Sequence, residues 1–127
     1  MLAPVLTIGG LGLATLALHL RDPHAHGSWG LCPSAAMGIY CPGCGGLRAV
    51  NDLTHGDVGA ALSSNILVTL TIPVVIVLLL VWARDRWRGR TRETNARAIT
   101  QATVAFCVIA VAFAVVRNLS FGAWFAP

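Results

Sequence analysis

The chain contains no lysine and carries little charge of either sign. Only 11% of its 127 residues are charged, and all nine basic residues are arginines, against five acidic residues. Six of the arginines lie in one short segment between two apolar runs: Arg84, Arg86, Arg88, Arg90, Arg92 and Arg97. This clustering is typical of a cytoplasmic loop, whereas a nucleic-acid-binding face would add stacking aromatics or a known reader motif. The composition therefore predicts the lipid bilayer as a partner and no nucleic acid.

The common signatures of catalysis are missing as well. The sequence has no P-loop, no dinucleotide-binding fingerprint and no Ser/His/Asp spacing typical of a hydrolase. One copy with three helices argues against a transporter, although a homo-oligomer could enclose a path. We therefore leave open whether the protein is an enzyme. If it is one, its cysteines point to a thiol–disulfide oxidoreductase, and its partners would be a second copy or another membrane protein.

Long apolar runs dominate what is present. The chain is 56% hydrophobic with a mean hydropathy of +0.72, and a bilayer-spanning helix needs about 20 apolar residues. A cleaved signal peptide is the alternative for the first run, but a basic start and a convincing cleavage site are missing. We predict a single all-α integral membrane domain, residues 1–127, with three transmembrane helices, the second kinked at Pro73. Its segments are helix 2–20, a Cys-containing connector 21–62, helix 63–83, an Arg-rich loop 84–97, helix 98–116 and a tail 117–127.

The connector between the first and second predicted helices carries a cysteine motif. The stretch from residue 41 to 57 reads CPGCGGLRAVNDLTHGD, in which two thiols stand three positions apart. Gly45 and Gly46 permit close backbone approach or unusual φ values. From Leu47 the pattern becomes helical, and Gly56 ends a helix too short to span a bilayer. We predict a re-entrant or interfacial half-helix with Cys44 at its positive end. There the pKa of Cys44 should fall, and Arg48 can pair with Asp52 one turn later.

Three interpretations of the cysteines are open. In the first, Cys32, Cys41 and Cys44 form a structural knuckle around zinc, with His55 or His26 as the fourth ligand. In the second, Cys41 and Cys44 are a redox-active pair, with Cys32 as an exchange partner. In the third, a disulfide from Cys44 to Cys41 or Cys32 staples the turn. We favour a structural or interaction module with a zinc or disulfide knuckle, and keep the redox protein as the alternative.

The third predicted helix contains two further residues of interest, a cysteine and an arginine. Cys107 lies in the middle of an apolar run, where a thiol is best interpreted as a small apolar side chain. Arg117 ends the same run and should lie on the same side of the membrane as the motif. We expect it to pair there with Asp57 or Asp52.

The motif resembles a known family. The similarity covers about residues 23–127 and is carried by Cys32-Pro33, the run from Cys41 to Ala49, His55-Gly56-Asp57, Asn65, Arg117-Asn118 and the tail AWFAP. These residues resemble a domain-of-unknown-function family of small bacterial multi-pass membrane proteins with a C-P-x-C-G-x-T-R-A signature. Leu47 stands where many members have Thr. The resemblance implies a bacterial plasma membrane protein and leaves its activity open.

The arginine-rich loop predicts the orientation. The loop should be cytoplasmic, which places the N-terminus inside and both the Cys connector and the C-terminus on the outer face. A reporter that is active only in the periplasm should therefore be active when fused after Pro127 and inactive when fused near Arg90. The reverse pattern would contradict this orientation and place the cysteines on the reducing side, where zinc is favoured over a disulfide.

Overall fold

A computed structural model describes residues 2–25, 33–90, 93 and 95–120. Over these residues the protein is helical, with turns and no strand. Cys32, His26 and the aromatic tail from residue 121 lie outside the described residues. The helices are α1 (Leu2–Leu20), α2 (Pro33–Ala36), α3 (Gly46–Thr54), α4 (Val58–Trp87) and α5 (Ala96–Arg117).

Three of the helices are long and apolar enough to cross a bilayer. These are α1, α4 and α5, whose most apolar windows have mean hydropathies of 1.6, 2.9 and 2.3. The prediction of an all-α membrane protein with three spans and one short motif helix is thus confirmed. Both α4 and α5 extend beyond the apolar runs because polar side chains cap them. Asp57 accepts from the Ala60 N–H at 2.9 Å, and Asn95 accepts from the N–H groups that follow it.

The backbone of α4 is interrupted at Asn65. This residue is extended (φ −165°, ψ 98°), eight positions before Pro73, where the sequence predicted a kink. Its Oδ1 accepts from the Val68 N–H at 3.0 Å, so Asn65 caps a new helix start. The Thr69 hydroxyl closes the break by donating to the carbonyls of Ala61 and Asn65, both at 2.8 Å. The part of α4 after the break is roughly 33 Å long, which matches the hydrocarbon core of about 30 Å.

The short helix α3 has glycine at both ends. Gly45 lies in the left-handed region (φ 78°) immediately before it, a conformation that a side chain would strain. Gly56 (φ 80°) follows it, as the sequence predicted, and its N–H donates to the Leu53 carbonyl while the Asp57 N–H donates to the Asp52 carbonyl. This pair of hydrogen bonds is the Schellman motif, which ends a helix. The chain is thereby turned back sharply from α3 into α4.

Helix α3 packs between α4 and α1. A Cβ at Gly46 would stand 3.3 Å from a Val68 methyl, which shows how closely α3 approaches α4. On the other side, the Asn51 amide donates to the Leu18 carbonyl at the end of α1, at 2.6 Å. Large apolar side chains of α1, α4 and α5 face outward, and about half of the buried residues are polar or charged: Asn51, Asp52, Asn65, Thr69 and Arg117. Such an arrangement suits a solvent of lipid tails, in which polar groups must find partners inside the protein.

We expect Asn65→Ala to destabilise the fold strongly. Asn65 is 1% exposed, and its amide donates to two carbonyls of the Cys motif. Asn65→Ala leaves the Pro42 carbonyl and the Val68 N–H without this partner, whereas the Cys44 carbonyl keeps its bond from Arg117. Each group left unsatisfied costs about 1–3 kcal/mol, so a loss of about 2–4 kcal/mol is expected in the free energy of unfolding. Denaturant unfolding in detergent, followed by tryptophan fluorescence, measures it.

Ser63→Ala provides the matched control two residues earlier, since its exposed hydroxyl bonds only the Ala60 carbonyl. Asn65→Asp keeps the acceptor for the Val68 N–H and removes both donors, so it should also be destabilised. Equal stability of Asn65→Ala and Ser63→Ala would show that the break in α4 does not depend on this side chain.

Candidate functional site

The two thiols of the motif lie side by side in a tight turn. Cys41 Sγ and Cys44 Sγ are 3.2 Å apart and are not joined by a disulfide. The Cys44 N–H donates to the Cys41 carbonyl at 3.1 Å, and the Gly46 N–H donates to the Gly43 carbonyl at 2.9 Å. These bonds coil the turn directly into α3. Cys44 is buried at 7% exposure, whereas Cys41 is partly exposed. The sequence-based expectation that the two sulfurs point the same way is met.

The carbonyl groups of this turn are fixed from two other helices. Asn65 Nδ2 donates to the carbonyls of Pro42 (2.8 Å) and Cys44 (2.9 Å). Arg117 Nη1 donates to the carbonyls of Cys41 (3.2 Å) and Cys44 (2.9 Å). Residues separated by up to 76 positions in sequence thus meet at one turn. The positions of the two thiols are therefore set by α4 and α5 as well as by the turn itself.

The end of α5 also holds the residue before the motif. Asn118 Nδ2 donates to the Tyr40 carbonyl at 2.8 Å, and Asn118 Oδ1 accepts from the Tyr40 N–H at 2.9 Å. This two-point pairing imitates the bonding of a neighbouring strand. The guanidinium of Arg117 lies over the rings of Phe113 (5.0 Å) and Tyr40 (5.9 Å), within cation–π distance. Arg117-Asn118 therefore act together as the anchor of the connector.

The expected pairing of Arg117 with Asp57 or Asp52 is wrong. Asp57 caps α4, and Asp52 accepts from the Ser64 hydroxyl at 2.9 Å and lies 3.4 Å from His24 Nε2. Arg117 binds backbone carbonyls instead: its Nη1 donates to the carbonyls of Cys41 and Cys44, which accept without carrying a second charge. Arg48 is partly exposed on α3, and no ion pair with Asp52 is found among the described residues.

Hydrogen bonding activates the thiol of Cys41, for which the sequence predicted no shift. The Cys44 thiol donates a hydrogen bond that lowers the pKa of Cys41 below its usual value, and partial burial opposes this only in part. Ser34, on α2, adds a second hydrogen bond to Cys41 and lies 3.8 Å from the Cys44 sulfur. Helix α3 begins at Gly46, two positions after Cys44, and the lowering of the Cys44 pKa by the helix end stays a prediction.

His55 lies at the opposite end of α3 from the thiols. Nine residues of helix separate it from the turn, roughly 13 Å at 1.5 Å per residue. Its ring stacks on His19 with a centroid distance of 4.3 Å, and its Nδ1 donates to the Asn51 carbonyl at 2.9 Å. His55 is therefore too far away to share a metal ion with Cys41 and Cys44.

Within the described residues, no group of three or more His, Cys, Asp or Glu side chains is placed to hold a metal ion. The remaining predicted ligands, Cys32 and His26, fall outside the described part of the chain. A zinc knuckle thus stays a prediction that would need both of these residues. Cys107 lies exposed on the outer surface of α5, where it faces the lipid.

Sequence reasoning gave no role to the two asparagines that organise the site. Asn65 and Asn118 each bond the backbone of the connector, as does Arg117. The available signal was a polar amide within or beside an apolar run, because polar residues in spanning segments are costly unless they bond inside the protein.

Residues 32–79 match the profile of a family described as a protein of unknown function (DUF2752). The resemblance to a domain-of-unknown-function family is thereby confirmed over a region that contains the Cys motif, α3 and the break at Asn65. No curated protein and no solved structure matches the chain. The matched region ends within α4, so Arg117 and Asn118 lie beyond it.

Arg117→Lys should weaken the site even though the charge is kept. An ammonium group lacks the planar guanidinium that lies over Phe113 and Tyr40 while its Nη1 donates to two carbonyls. Hydrogen bonds from charged donors contribute about 1.5–3 kcal/mol, so we expect a loss of about that size in the free energy of unfolding. Thermal unfolding in detergent and the amount of protein in the membrane measure it. Arg88→Lys, in the exposed loop after α4, is the control, and equal behaviour of the two variants would refute the anchoring role.

Proposed function

We propose that this membrane protein carries out thiol–disulfide exchange, with Cys41 and Cys44 as the reactive pair. The observation that carries the proposal is the arrangement of the thiols: 3.2 Å between the sulfurs, with one thiol buried and the other accessible. Reactive cysteines are partly exposed and have a lowered pKa, and Cys41 meets both conditions. A thiol pair that only forms a structural disulfide needs neither an exposed sulfur nor a lowered pKa.

The reaction assigns different roles to the two cysteines. The Cys41 thiolate attacks a disulfide of a partner protein, forming a mixed disulfide and releasing one partner thiolate. The Cys44 sulfur, once deprotonated, then attacks Cys41 Sγ. This second step releases the other partner thiolate and leaves a Cys41–Cys44 disulfide. Two electrons pass to the partner, and each thiol proton is taken up by a released thiolate. The reverse sequence oxidises a partner dithiol.

The surroundings favour this chemistry. Asn65 and Arg117 hold the carbonyls on both sides of the sulfurs, so the backbone needs little adjustment between dithiol and disulfide. The positive charge of Arg117, bound to the carbonyls of both cysteines, also favours a thiolate at this turn. Substrate access would come at Cys41, which is the more exposed of the two.

The proposed location is the outer face of a bacterial plasma membrane, with the N-terminus in the cytoplasm. The Arg-rich segment after α4 supports this orientation through the positive-inside rule. An outer-face site is exposed to an oxidising compartment, in which a dithiol that cycles to a disulfide has partners to react with. A partner in the membrane, or a second copy of the chain, fits the exposed apolar surfaces of the spanning helices.

A structural knuckle is the second candidate. It is favoured by the complete anchoring of the turn, since three of its carbonyls are bonded from α4 and α5. In that case Cys41 and Cys44 form a permanent disulfide, or bind zinc together with Cys32 and His26. The protein is then an interaction module whose motif only shapes the connector.

Trapping of a mixed disulfide distinguishes these functions. With glutathione disulfide as the oxidant, reduced Cys44→Ala protein should accumulate a glutathione adduct on Cys41, whereas Cys41→Ala should form little adduct on buried Cys44. The wild-type protein should proceed to the internal disulfide. Mass spectrometry after alkylation measures each species, and Cys107→Ala serves as the control that should behave as the wild type.

Other outcomes of this experiment would contradict exchange. Thiols that alkylate only after a strong chelator indicate zinc, and a disulfide that forms once and resists mild reductants indicates a staple. Thiols that alkylate freely and never oxidise would show that the motif is a packing element.

The lowered pKa gives a separate prediction. The thiolate of Cys41 should persist to lower pH than that of an ordinary thiol, because the Cys44 thiol donates to it. In the reduced protein, the rate of Cys41 alkylation by iodoacetamide should therefore begin to rise at lower pH in the wild type than in Cys44→Ala. Superimposable pH profiles would show that Cys44 does not activate Cys41.

A further inference from the structure

An apolar cavity of about 650 Å³ lies between α3 and the three spanning helices. Its volume is within the roughly 300–1,000 Å³ typical of sites for small molecules. Along α4 it extends from Leu67 to Leu79, about 18 Å at 1.5 Å per residue, and it is partly open at the surface of the protein. Because α4 spans the membrane there, a molecule dissolved in the bilayer can enter it.

One end of this cavity is formed by the Cys motif itself. Pro42 and Gly43, the two residues between the cysteines, belong to its wall. A Cβ placed on Gly43 would stand 3.9 Å from Cys41 Sγ, an ordinary contact distance. The Cys41 sulfur therefore lies close to Gly43 in the wall of the cavity, although neither cysteine is itself part of the described lining.

The rest of the wall selects for a neutral occupant. Among the described residues, no charged side chain lines the cavity, and the polar side-chain groups of the wall are the hydroxyls of Thr15, Thr54 and Thr71. Each hydroxyl donates its proton to a carbonyl of its own helix, at 2.8, 2.6 and 2.7 Å respectively. The hydroxyl oxygens still have lone pairs, so they can accept a hydrogen bond from a ligand. A charged lipid headgroup or a polar peptide would find no partner here.

We propose that the cavity binds a membrane quinone, which accepts the electrons of the Cys41–Cys44 dithiol; this inference rests on the proposed function. The ring lies at the end formed by Pro42 and Gly43, and the isoprenoid tail follows α4 into the membrane. In the reaction two S–H bonds break and one S–S bond forms. Two electrons and two protons pass to the quinone, whose two carbonyl oxygens become the hydroxyls of the hydroquinone.

A lipid acyl chain could fill the same space, but it leaves the position of the cavity unexplained. The cavity ends at the one turn of the protein that carries two adjacent thiols, and a dithiol releases two electrons and two protons together. Quinones are the lipid-soluble carriers that accept this pair.

The test uses purified full-length protein in detergent with its dithiol reduced. A ubiquinone analogue with a short alkyl tail is added, and its reduction is followed by ultraviolet absorbance while alkylation and mass spectrometry follow the thiols. One quinone should be reduced for each Cys41–Cys44 disulfide formed. Ile72→Trp fills the cavity and should slow the reaction about tenfold or more, because the ligand is excluded. Val74→Trp, two residues along α4 and 57% exposed outside the cavity, should react at the wild-type rate.

A water-soluble oxidant separates the two proposals. If glutathione disulfide oxidises the dithiol and the quinone does not, the exchange function stands and the quinone site is refuted. If neither oxidant acts, the exchange function itself fails.

Binding of the quinone is tested separately from its reduction in a Cys41→Ser/Cys44→Ser double variant, which has no dithiol to oxidise. An azide-bearing quinone should label α4 and α3 on illumination, in competition with the unmodified quinone. Labelling by an azide-bearing phospholipid that excess quinone does not displace would show that the cavity is a lipid-chain site and would overturn the proposal.

Discussion

The carbonyl oxygen of Cys44 accepts hydrogen bonds from Asn65 and Arg117, both at 2.9 Å, and the remainder of the fold depends on this shared acceptor. It is the point at which the Cys turn, the interrupted helix α4 and the end of α5 meet. Without it, α5 would be joined to the connector mainly by the longer bond from Arg117 to the Cys41 carbonyl and by the pairing of Asn118 with Tyr40. A backbone carbonyl can fill this role because its two lone pairs point in different directions.

The bilayer explains why such contacts, and not a hydrophobic core, hold the helices together. Lipid tails are as apolar as leucine, so burying apolar side chains between spanning helices gains little. Polar groups, in contrast, have no water to bond there and are costly when left unsatisfied. Asn65, Thr69 and Arg117 are all nearly inaccessible, and each donates to backbone carbonyls in its surroundings. The polar interior of this protein thus has the structural function that leucine and valine have in a soluble domain.

The features that could be predicted from the sequence are those set by local composition. Hydropathy located the three spans, and the glycine at position 56 located the end of α3, because both signals depend on neighbouring residues. The break at Asn65 could not be located in this way. Pro73 is the stronger local signal, but its missing N–H is tolerated within a lipid-facing helix, whereas Asn65 is drawn out of the helix by carbonyls more than 20 residues earlier in the chain. The partners of Arg117 were mispredicted for the same reason: charge suggested a carboxylate, and the tertiary fold presented a turn of carbonyls.

The anchoring of the turn restricts what the thiols can do. Since the carbonyls of Cys41, Pro42 and Cys44 are all held, the motif cannot open widely, and changes at the site are limited largely to rotation of the two side chains. A rigid turn serves a structural disulfide and an exchanging pair equally well. What separates the two is the asymmetry of the thiols. A permanent staple is most durable when both sulfurs are buried, yet here only Cys44 is buried, while Cys41 is accessible and has a lowered pKa. That asymmetry assigns attack to one sulfur and resolution to the other, as an exchange reaction requires.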